Sequence, residues 1–301
     1  MLKSILFWAK KRVIYLFKQL PFVREPVRRY LFRQRWNTEL RLLNGVDPSN
    51  NDHSSILHLT LNRSASQWVK SVLQRCAVSE GIIHVRWNEM AFNSEYPYLD
   101  KLESVEEYEQ IFHPEGYLYS AYGGYPKGIP QIEEYKVVLV VRDPRDILVS
   151  RYFSKRESHE VPPKASDKRQ DFLTDRAYAQ RTSVDEFALE KSSGLRDRFD
   201  CYINRLLERH PNVHVTRYED MVADVEQWLD RLLAYVEFSP PEELRTEIIE
   251  EARSIQTKEE DPSAHNRKGR PGDHREKLHS STIQELNDTF HHVLDRFGYE
   301  K

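Results

Sequence analysis

The aliphatic run at residues 137–141 constrains the fold of this chain most. Its sequence, VVLVV, predicts a strand that is buried on both faces, as strands of parallel sheets are. The run ends in RDPRD and passes into a segment with the apolar spacing of a helix. Arg142 and Ser150 then lie where both can bind one anion, since a planar guanidinium and a hydroxyl suit phosphate recognition. An Arg142 paired with Asp143 or Asp146 is the structural alternative.

Four more short apolar segments have the character of strands, and segments with helical spacing separate them. They are residues 56–61, 82–85, 117–122 and 213–218. Strands that alternate with helices predict an α/β fold, a single doubly wound domain with a central parallel sheet of about five strands flanked by helices. In such sheets ligands bind at the carboxyl ends of the strands. We expect a basic helical arm over residues 1–45 and this domain over residues 46–301.

The overall charge and the cysteines exclude several classes of function. With a net charge of −3 over 301 residues, the chain has no global basic field for nucleic acid. Cys76 and Cys201 form neither a disulfide framework nor a zinc spacing, which favours a reducing compartment and a cytoplasmic location. No metal-ligand spacing is present, so we expect no metal. The oligomeric state cannot be read from the sequence.

The positive charge is concentrated at the amino-terminal end. Residues 1–36 carry ten Lys or Arg and one acid, a net of +9 that leaves −12 for the remainder. Their apolar blocks are far shorter than the roughly 20 residues that span a bilayer. A basic amphipathic helix lying on an anionic membrane surface fits this pattern. A helix packed on the domain with its lysines in water, or a targeting segment, are the alternatives.

A second motif, LNRSASQW, lies between the first predicted strand and a helix at residues 66–78. Loop amides and a helix N-terminus at this place form an anion nest, to which Ser64 and Ser66 add hydroxyls and Arg63 adds a charge. The loop lacks glycine and the Walker lysine, which argues against a nucleotide kinase. A serine-capped helix start is the structural alternative.

A third motif, NRKGRPGDH, begins at Asn266 in a polar loop near the carboxyl end. Arg267 and Lys268 are adjacent cations that can clamp a phosphate, and Gly269 lets the backbone approach a ligand closely. A solvated basic loop is the alternative. The three motifs are stronger together than apart, because each follows a strand end or lies in a loop that can reach one.

In this order, the three motifs closely resemble those of the sulfotransferases that use 3′-phosphoadenosine 5′-phosphosulfate (PAPS). The resemblance spans about residues 56–297 and implies a P-loop-like phosphosulfate-binding loop. It implies that PAPS, with its product 3′-phosphoadenosine 5′-phosphate (PAP), is bound by residues of all three motifs and by a tyrosine at a strand end. These residues are Arg63, Ser64, Ala65, Ser66, Gln67, Trp68, Arg142, Ser150, Tyr218, Arg267, Lys268 and Gly269.

The first loop departs from the Lys-Ser-Gly-Thr-Thr-Trp of the family's small-molecule branch. Arg63 replaces the lysine and cannot donate a proton near neutral pH, so it is expected to act as a charge stabiliser, with Ser150 tuning the contact. Ala65 replaces the glycine, which predicts a loop that avoids positive φ at that point. Asp273-His274 replaces the more usual Asp-Trp.

The general base that deprotonates the acceptor is harder to place. The small-molecule branch has a histidine in the zone that reads YLYSAY here, without one. Branches that act on proteins and glycans have a carboxylate in the zone of residues 81–89. His84 and Glu89 are therefore the candidates, and His84 is favoured because its ordinary pKa lies near the operating pH. A strand histidine satisfied by a neighbour is the alternative.

The resemblance implies transfer of the sulfuryl group from PAPS to a hydroxyl or amine acceptor, in line and with base assistance. An inactive sulfotransferase-like protein that binds PAP is the second hypothesis, motivated by the missing glycine and histidine. The acceptor is a small molecule, a lipid or a glycan. Several aromatic residues are suited either to line its pocket or to fill the core, namely Trp87, Phe92, Tyr96, Tyr98, Tyr122 and Tyr125.

Overall fold

The computed structural model describes residues 21–47, 49–122, 124–158, 161–163, 166, 168–256 and 269–301. The chain divides into two compact units, residues 1–48 and 49–301. The first unit contains two described helices, α1 (Pro21–Arg35) and α2 (Asn37–Leu43). The predicted membrane contact of residues 1–36 falls largely outside the described residues and stays a prediction. Among the described helices, none has the length and apolarity needed to cross a membrane.

The second unit is built on five strands that are close in sequence position to the predicted ones. They are β1 (Ile56–Thr60), β2 (Ile83–Val85), β3 (Tyr117–Tyr122), β4 (Lys136–Val141) and β5 (His214–Arg217). All pairs are parallel and the order in the sheet is β2-β3-β1-β4-β5. The predicted doubly wound parallel sheet is thereby confirmed. The carboxyl ends of β1 and β4, which carry the first two motifs, are neighbours in this order.

In the described part of the second unit, twelve α-helices and some shorter helical turns connect and cover the strands. The helices are α3 (Ser66–Ser79), α4 (Trp87–Phe92), α5 (Val105–Ile111), α6 (Pro144–Phe153), α7 (Arg169–Arg181), α8 (Val184–Tyr202), α9 (Tyr218–Ala223), α10 (Val225–Val236), α11 (Glu242–Gln256), α12 (Asp273–Lys277), α13 (Ser280–Thr289) and α14 (His291–Phe297). The turns are the 3₁₀ segments Leu99–Lys101 and Ile132–Glu134 and the π segments Ser154–Ser158 and Ile203–Leu207.

One hydrophobic core lies on a single face of the sheet. Alternate residues of β1, β3 and β4 point to the same face and pack against α3, α10 and α11, as Ile56, Leu118 and Val138 show. Trp228 of α10 lies in this core, and its indole N–H donates to Thr216 Oγ1 at 2.7 Å. Burial of such side chains contributes about 1.5–3 kcal/mol each. The core thus fixes the sheet against the helix that follows the first motif.

Three segments differ from what the sequence alone predicts. Apolar spacing predicts one helix from residue 219 to about residue 236, but the helix is broken at Asp224, whose φ of −148° is extended and whose carboxylate caps α10 by accepting from Gln227 N at 3.0 Å. The same spacing predicts one helix over residues 280–297, which is divided at Phe290. The charged, proline-containing residues 156–182 predict a mobile excursion, yet they contain α7, which is anchored by buried Phe172 and Ala179. Capping and burial, which periodicity does not report, explain these differences.

Candidate active site

The loop between β1 and α3 turns through two residues in the left-handed region. Arg63 has φ of 81° and Ala65 has φ of 57°. The prediction that Ala65 keeps this loop out of positive φ is wrong. A left-handed non-glycine residue costs about 1–2 kcal/mol, and such costs persist where the surrounding structure imposes them. Since Ala65 is the residue that precedes α3, the loop turns its amides towards the helix entry.

The first and second motifs are joined directly by their side chains. Arg63 Nε donates to Ser150 Oγ at 3.0 Å, across 87 residues of sequence. Arg142 Nη1 donates to the carbonyl oxygen of Arg63 at 2.9 Å. The structure therefore brings Arg63, Arg142 and Ser150 together at the adjacent ends of β1 and β4. Two guanidinium groups and a hydroxyl that converge in this way are suited to hold an anion.

Tyr218 and an acidic residue complete the surroundings of Arg142. The Arg142 guanidinium lies over the ring of Tyr218, 4.3 Å from its centroid, and its Nη2 is 3.5 Å from Asp146 Oδ2. Asp143, the other partner considered for Arg142, instead pairs with Arg145 at 2.6 Å. Burial raises the pKa of Tyr218. The ion pair with Asp146 is long, and among the described residues Arg142 Nε is buried without a hydrogen-bond partner. Arg142 can therefore still donate a hydrogen bond to a ligand.

Asp146 ties the second motif to the third. Its carboxylate is fully buried and accepts from Gly272 N at 2.7 Å, from His274 N at 2.9 Å and from His274 Nδ1 at 2.7 Å. Burial alone disfavours the ionised form, but the hydrogen bonds from His274 and the charge of Arg142 hold the pKa of Asp146 well below its usual range. His274, the departure from the usual tryptophan, is thus a donor to this carboxylate.

The third motif is described only from Gly269 onwards. Gly269 has φ of 65°, and a Cβ at this position would lie 2.9 Å from the carbonyl oxygen of Ile255. Glycine is therefore required here both by conformation and by space. Arg267 and Lys268, predicted to close over a phosphate, lie outside the described residues. Gly272, with φ of 85°, starts α12.

Trp68 lies at the start of α3 and packs its ring against Trp228, with centroids 5.4 Å apart. Trp68 is partly buried against the hydrophobic core between the sheet and helices α3, α10 and α11. Its predicted contact with adenine is untested, and the Trp228 contact occupies part of its ring. Its indole nitrogen is buried without a hydrogen-bond partner. Gln67, beside it, is exposed.

Several buried donors of the first two motifs lack hydrogen-bond partners among the described residues. They are Ser64 Oγ, Trp68 Nε1 and Arg142 Nε. An unsatisfied buried donor costs about 1–3 kcal/mol, so a cluster of them is unusual in a folded protein. A ligand with several phosphate or sulfate oxygens would satisfy such donors. The residues present therefore fit a nucleotide of the PAPS type. Ser66, by contrast, is satisfied by its bond to the Leu61 carbonyl oxygen at 3.1 Å.

The two candidates for the general base lie in a second polar cluster, on the β2 side of the sheet. Lys70 Nζ, on α3, donates to Glu89 Oε1, on α4. Burial, followed by the charge of Lys70, lowers the pKa of His84 to about 4. The reason for favouring His84, an ordinary pKa near the operating pH, is therefore wrong. Burial, His84 and Lys70 likewise lower the pKa of His58, in β1, to about 3.

The register of the sheet places His84 away from the carboxyl edge. His84 is opposite Leu118, which is opposite Ile56, the first residue of β1. Four residues of β1, about 13 Å at 3.3 Å per residue, separate this level from the carboxyl end at Thr60. Glu89 follows the carboxyl end of β2 and lies nearer to that edge.

Asp100 is a polar residue at the carboxyl edge that the sequence interpretation did not identify. Its carboxylate packs against Gly124, two residues beyond β3: a Cβ on Gly124 would lie 2.1 Å from Asp100 Oδ2. Burial raises the pKa of Asp100, although Lys101, with its Nζ 4.0 Å away, acts in the opposite direction. A half-buried carboxylate with a raised pKa is a better base than an exposed one. No sequence motif identifies Asp100, because it lies in the short 3₁₀ segment Leu99–Lys101, which has no distinctive residue pattern.

The sequence matches the model of the sulfotransferase domain over residues 54–298. The chain belongs to the sulfotransferase family. Mouse sulfotransferase SULT7A1, crystallised with PAP, shares the fold with a TM-score of 0.52 at 17% identity, over 84% of this chain and 89% of that one. The sulfotransferase STF9 from Mycobacterium avium has a TM-score of 0.50 at 10% identity, over 93% and 87%. Among curated protein sequences, none matches this chain.

In this sulfotransferase domain the predicted donor-site residues and the predicted bases occupy different clusters. The structure unites Arg63, Arg142, Ser150 and Tyr218, and it places His84 and Glu89 with Lys70. Within the described residues, no group of three or more His, Cys, Asp or Glu side chains is arranged to hold a metal ion. Of the aromatic residues considered for an acceptor pocket, Trp87 is a core residue. It is 1% exposed, and its indole N–H donates to the Pro97 carbonyl oxygen at 2.8 Å.

Proposed function

We propose that this sulfotransferase transfers the sulfuryl group of PAPS to a hydroxyl or amine of its acceptor. The observation that carries the proposal is the bond between Arg63 Nε and Ser150 Oγ, which joins the phosphosulfate-loop motif to the second motif. Ser64 and Arg142, which belong to the same two motifs, also have buried donors without a partner among the described residues, and the oxygens of a nucleotide phosphate would satisfy them.

Different residues would bind the two ends of PAPS. Arg63, Ser64, Ala65, Ser66 and Gln67 would hold the 5′-phosphosulfate through loop amides, hydroxyls and one guanidinium. Arg142 and Ser150 would hold the 3′-phosphate, with Arg267, Lys268 and Gly269 closing the site. Trp68 and Tyr218 would contact adenine. When bound, PAPS supplies an activated sulfuryl group and a stable leaving phosphate.

Catalysis would rest on positioning and on stabilisation of developing charge. Negative charge grows on the leaving oxygen as the sulfuryl group departs, and preformed donors in a partly buried site stabilise such charge strongly. Arg63 carries a permanent charge and is held in place by Ser150, so it needs no rearrangement to act. It would stabilise the leaving 5′-phosphate but give it no proton.

A carboxylate at the carboxyl edge would serve as the base. We infer that Asp100 takes this role, because burial raises its pKa and it packs on the loop that follows β3, the neighbour of β1. Glu89 is the second candidate, and its carboxylate already accepts a hydrogen bond from Lys70. His84 retains a neutral imidazole at physiological pH, but its pKa of about 4 and its register argue against it.

Thermal unfolding with PAP, compared with ATP and Mg²⁺, tests the donor site. Because a ligand that binds only the folded state raises the melting temperature, PAP should stabilise the wild-type protein and ATP should not. Arg142→Ala should weaken PAP binding by about 10- to 100-fold, since a charge-assisted hydrogen bond contributes about 1.5–3 kcal/mol.

The matched control is Arg245→Ala, which removes a surface arginine paired with Asp230 at 2.7 Å. It should bind PAP as the wild type does. Absence of any stabilisation of the wild type by PAP would refute the donor assignment. Binding of PAP without transfer from PAPS to any acceptor pool would instead support an inactive PAP-binding protein.

A further inference from the structure

Arg151 follows Ser150 in α6 and contains a buried nitrogen that the fold leaves unsatisfied. Its Nη2 is buried and has no hydrogen-bond partner within the part of the chain that the structure describes. A buried donor without a partner destabilises the folded state, and a charged one does so more strongly. Since buried polar groups in folded proteins are normally paired, this donor points to a partner that a ligand brings.

The charges near Arg151 do not compensate its own. Burial, and after it the positive charge of Arg198, lowers the pKa of Arg151 to about 10; Arg63 acts in the same direction and Asp175 opposes it. Arg151 therefore remains positively charged at neutral pH, while two of the three charges that act on it are also positive. An anion is the group that would relieve this repulsion.

The one acid in this group is already shared with two lysines. Asp175, on α7, is 3.2 Å from Lys155 Nζ through Oδ2 and 3.7 Å from Lys191 Nζ through Oδ1. Its charge is thus distributed over several cations. Together these side chains form a positive region beside α6, α7 and α8.

This region lies next to the donor site but is distinct from it. Ser150 is directed at Arg63, whereas the next residue on a helix is turned by about 100°. The charges that act on Arg151 come mainly from α7 and α8. Arg198, on α8, also acts on Asp100, the inferred base. Arg151 and Arg198 therefore link the donor site to the place where the acceptor is deprotonated.

We propose that Arg151 and Arg198 form a subsite for an oxyanion of the acceptor, a carboxylate, sulfate or phosphate group. The proposal rests on the proposed function, because it assumes that the acceptor reacts beside the Arg63–Ser150 bond. The phosphates of PAPS already have Arg63, Arg142, Ser150 and the loop amides, so the additional guanidinium is assigned to the acceptor. The substrate class is then a hydroxyl or amine compound that carries an acidic group.

Inorganic sulfate, added to the protein saturated with PAP, is the probe. With the donor site filled, sulfate should raise the melting temperature further than sodium chloride at equal ionic strength does. Arg151→Gln should weaken this sulfate binding by about tenfold or more, because a charge-assisted hydrogen bond is lost. Arg151→Lys should retain part of it, and the control Arg245→Gln should retain all of it.

Three results would overturn the proposal. The first is a PAP-saturated wild type that sulfate does not stabilise beyond sodium chloride. The second is an Arg151→Gln protein whose affinity for PAP itself falls about tenfold, since the oxyanion would then be a phosphate of the donor. The third is unchanged sulfate binding in Arg151→Gln. Failure of the wild type to bind PAP is a separate result, which refutes the proposed function.

A purely structural role for Arg151 is tested without ligand. Removing an uncompensated buried charge should leave the melting temperature of the Arg151→Gln protein unchanged or higher. A clear fall would indicate a structural arginine and would contradict the subsite. If that variant does not fold, Arg198→Gln decides instead, because Arg198 is exposed and its substitution should also weaken sulfate binding to the PAP-saturated protein.

Discussion

Two groups of polar residues at this sheet are held in different ways. The donor cluster, Arg63, Arg142, Ser150 and Asp146, is connected by side-chain hydrogen bonds and one ion pair across three motifs. The base candidates, His84, Glu89 and Asp100, include two groups whose pKa values burial shifts in opposite directions. The comparison teaches that the contacts of the donor cluster follow from strand-end motifs, whereas the pKa values of His84 and Asp100 depend on local desolvation.

Asp100→Asn gives the largest expected effect. If Asp100 is the base, kcat should fall by about 10²–10⁴-fold, as for loss of a general base, with little change in PAP affinity. The base must be ionised and its pKa is raised, so the wild-type rate should fall with decreasing pH already above the ordinary range of an aspartate. This acidic limb of the pH–rate profile should disappear in the variant.

The variants to compare with Asp100→Asn are those of the other two base candidates, His84→Gln and Glu89→Gln. His84→Gln should keep the rate within a few-fold, because the half-buried imidazole lies about four residues from the carboxyl end of β1. If kcat fell a hundredfold in His84→Gln or Glu89→Gln while Asp100→Asn kept the wild-type kcat, the substituted residue would be the base. That result would contradict the comparison.

Asp146→Asn gives the next largest effect, on stability. It removes a buried charge that holds Gly272, His274 and Arg142, so the free energy of unfolding should fall by about 3–5 kcal/mol in urea denaturation. Asp230→Asn, at an exposed ion pair, should cost less than about 1 kcal/mol.

The pH dependence of this stability has a defined sign. The folded-state pKa of Asp146 is depressed, so its contribution is complete above the unfolded value of about 3.9 and is lost as the pH falls through the folded value. The difference between wild type and Asp146→Asn should therefore be constant near neutral pH and shrink in acid. A difference that grows in acid would contradict the assignment.

Ala65→Gly gives the smallest effect and has the opposite sign. Since Ala65 has φ of 57°, glycine should relieve left-handed strain there. Because glycine also loses more backbone entropy on folding, the expected stabilisation is about 0.5–1 kcal/mol. Ala77→Gly, in the interior of α3, should destabilise by about 1 kcal/mol. Thermal unfolding of both proteins checks this, and two losses of similar size would show that the loop is unstrained.

The strands and the donor-site motifs were accessible to sequence reasoning because their signals are local. The strand at residues 137–141 was found within one residue of β4, and the parallel sheet followed from the alternation of strands and helices. The helix breaks at Asp224 and Phe290 were missed, since apolar periodicity continues through both. The positive φ of Ala65 was missed because side-chain type predicts only a preference, which neighbouring structure overrides here.

The sequence by itself determined the class of the fold, the family and the motifs that meet at the ends of β1 and β4, because each depends on residue type and order along the chain. Only the tertiary structure decided which partners those residues have and how their protons are held. The bond from Arg63 to Ser150 spans 87 residues, and that from Asp146 to His274 spans 128. The raised pKa of Asp100 and the lowered pKa of His84 arise from desolvation, which depends on the packing of distant segments and is not written in any short motif.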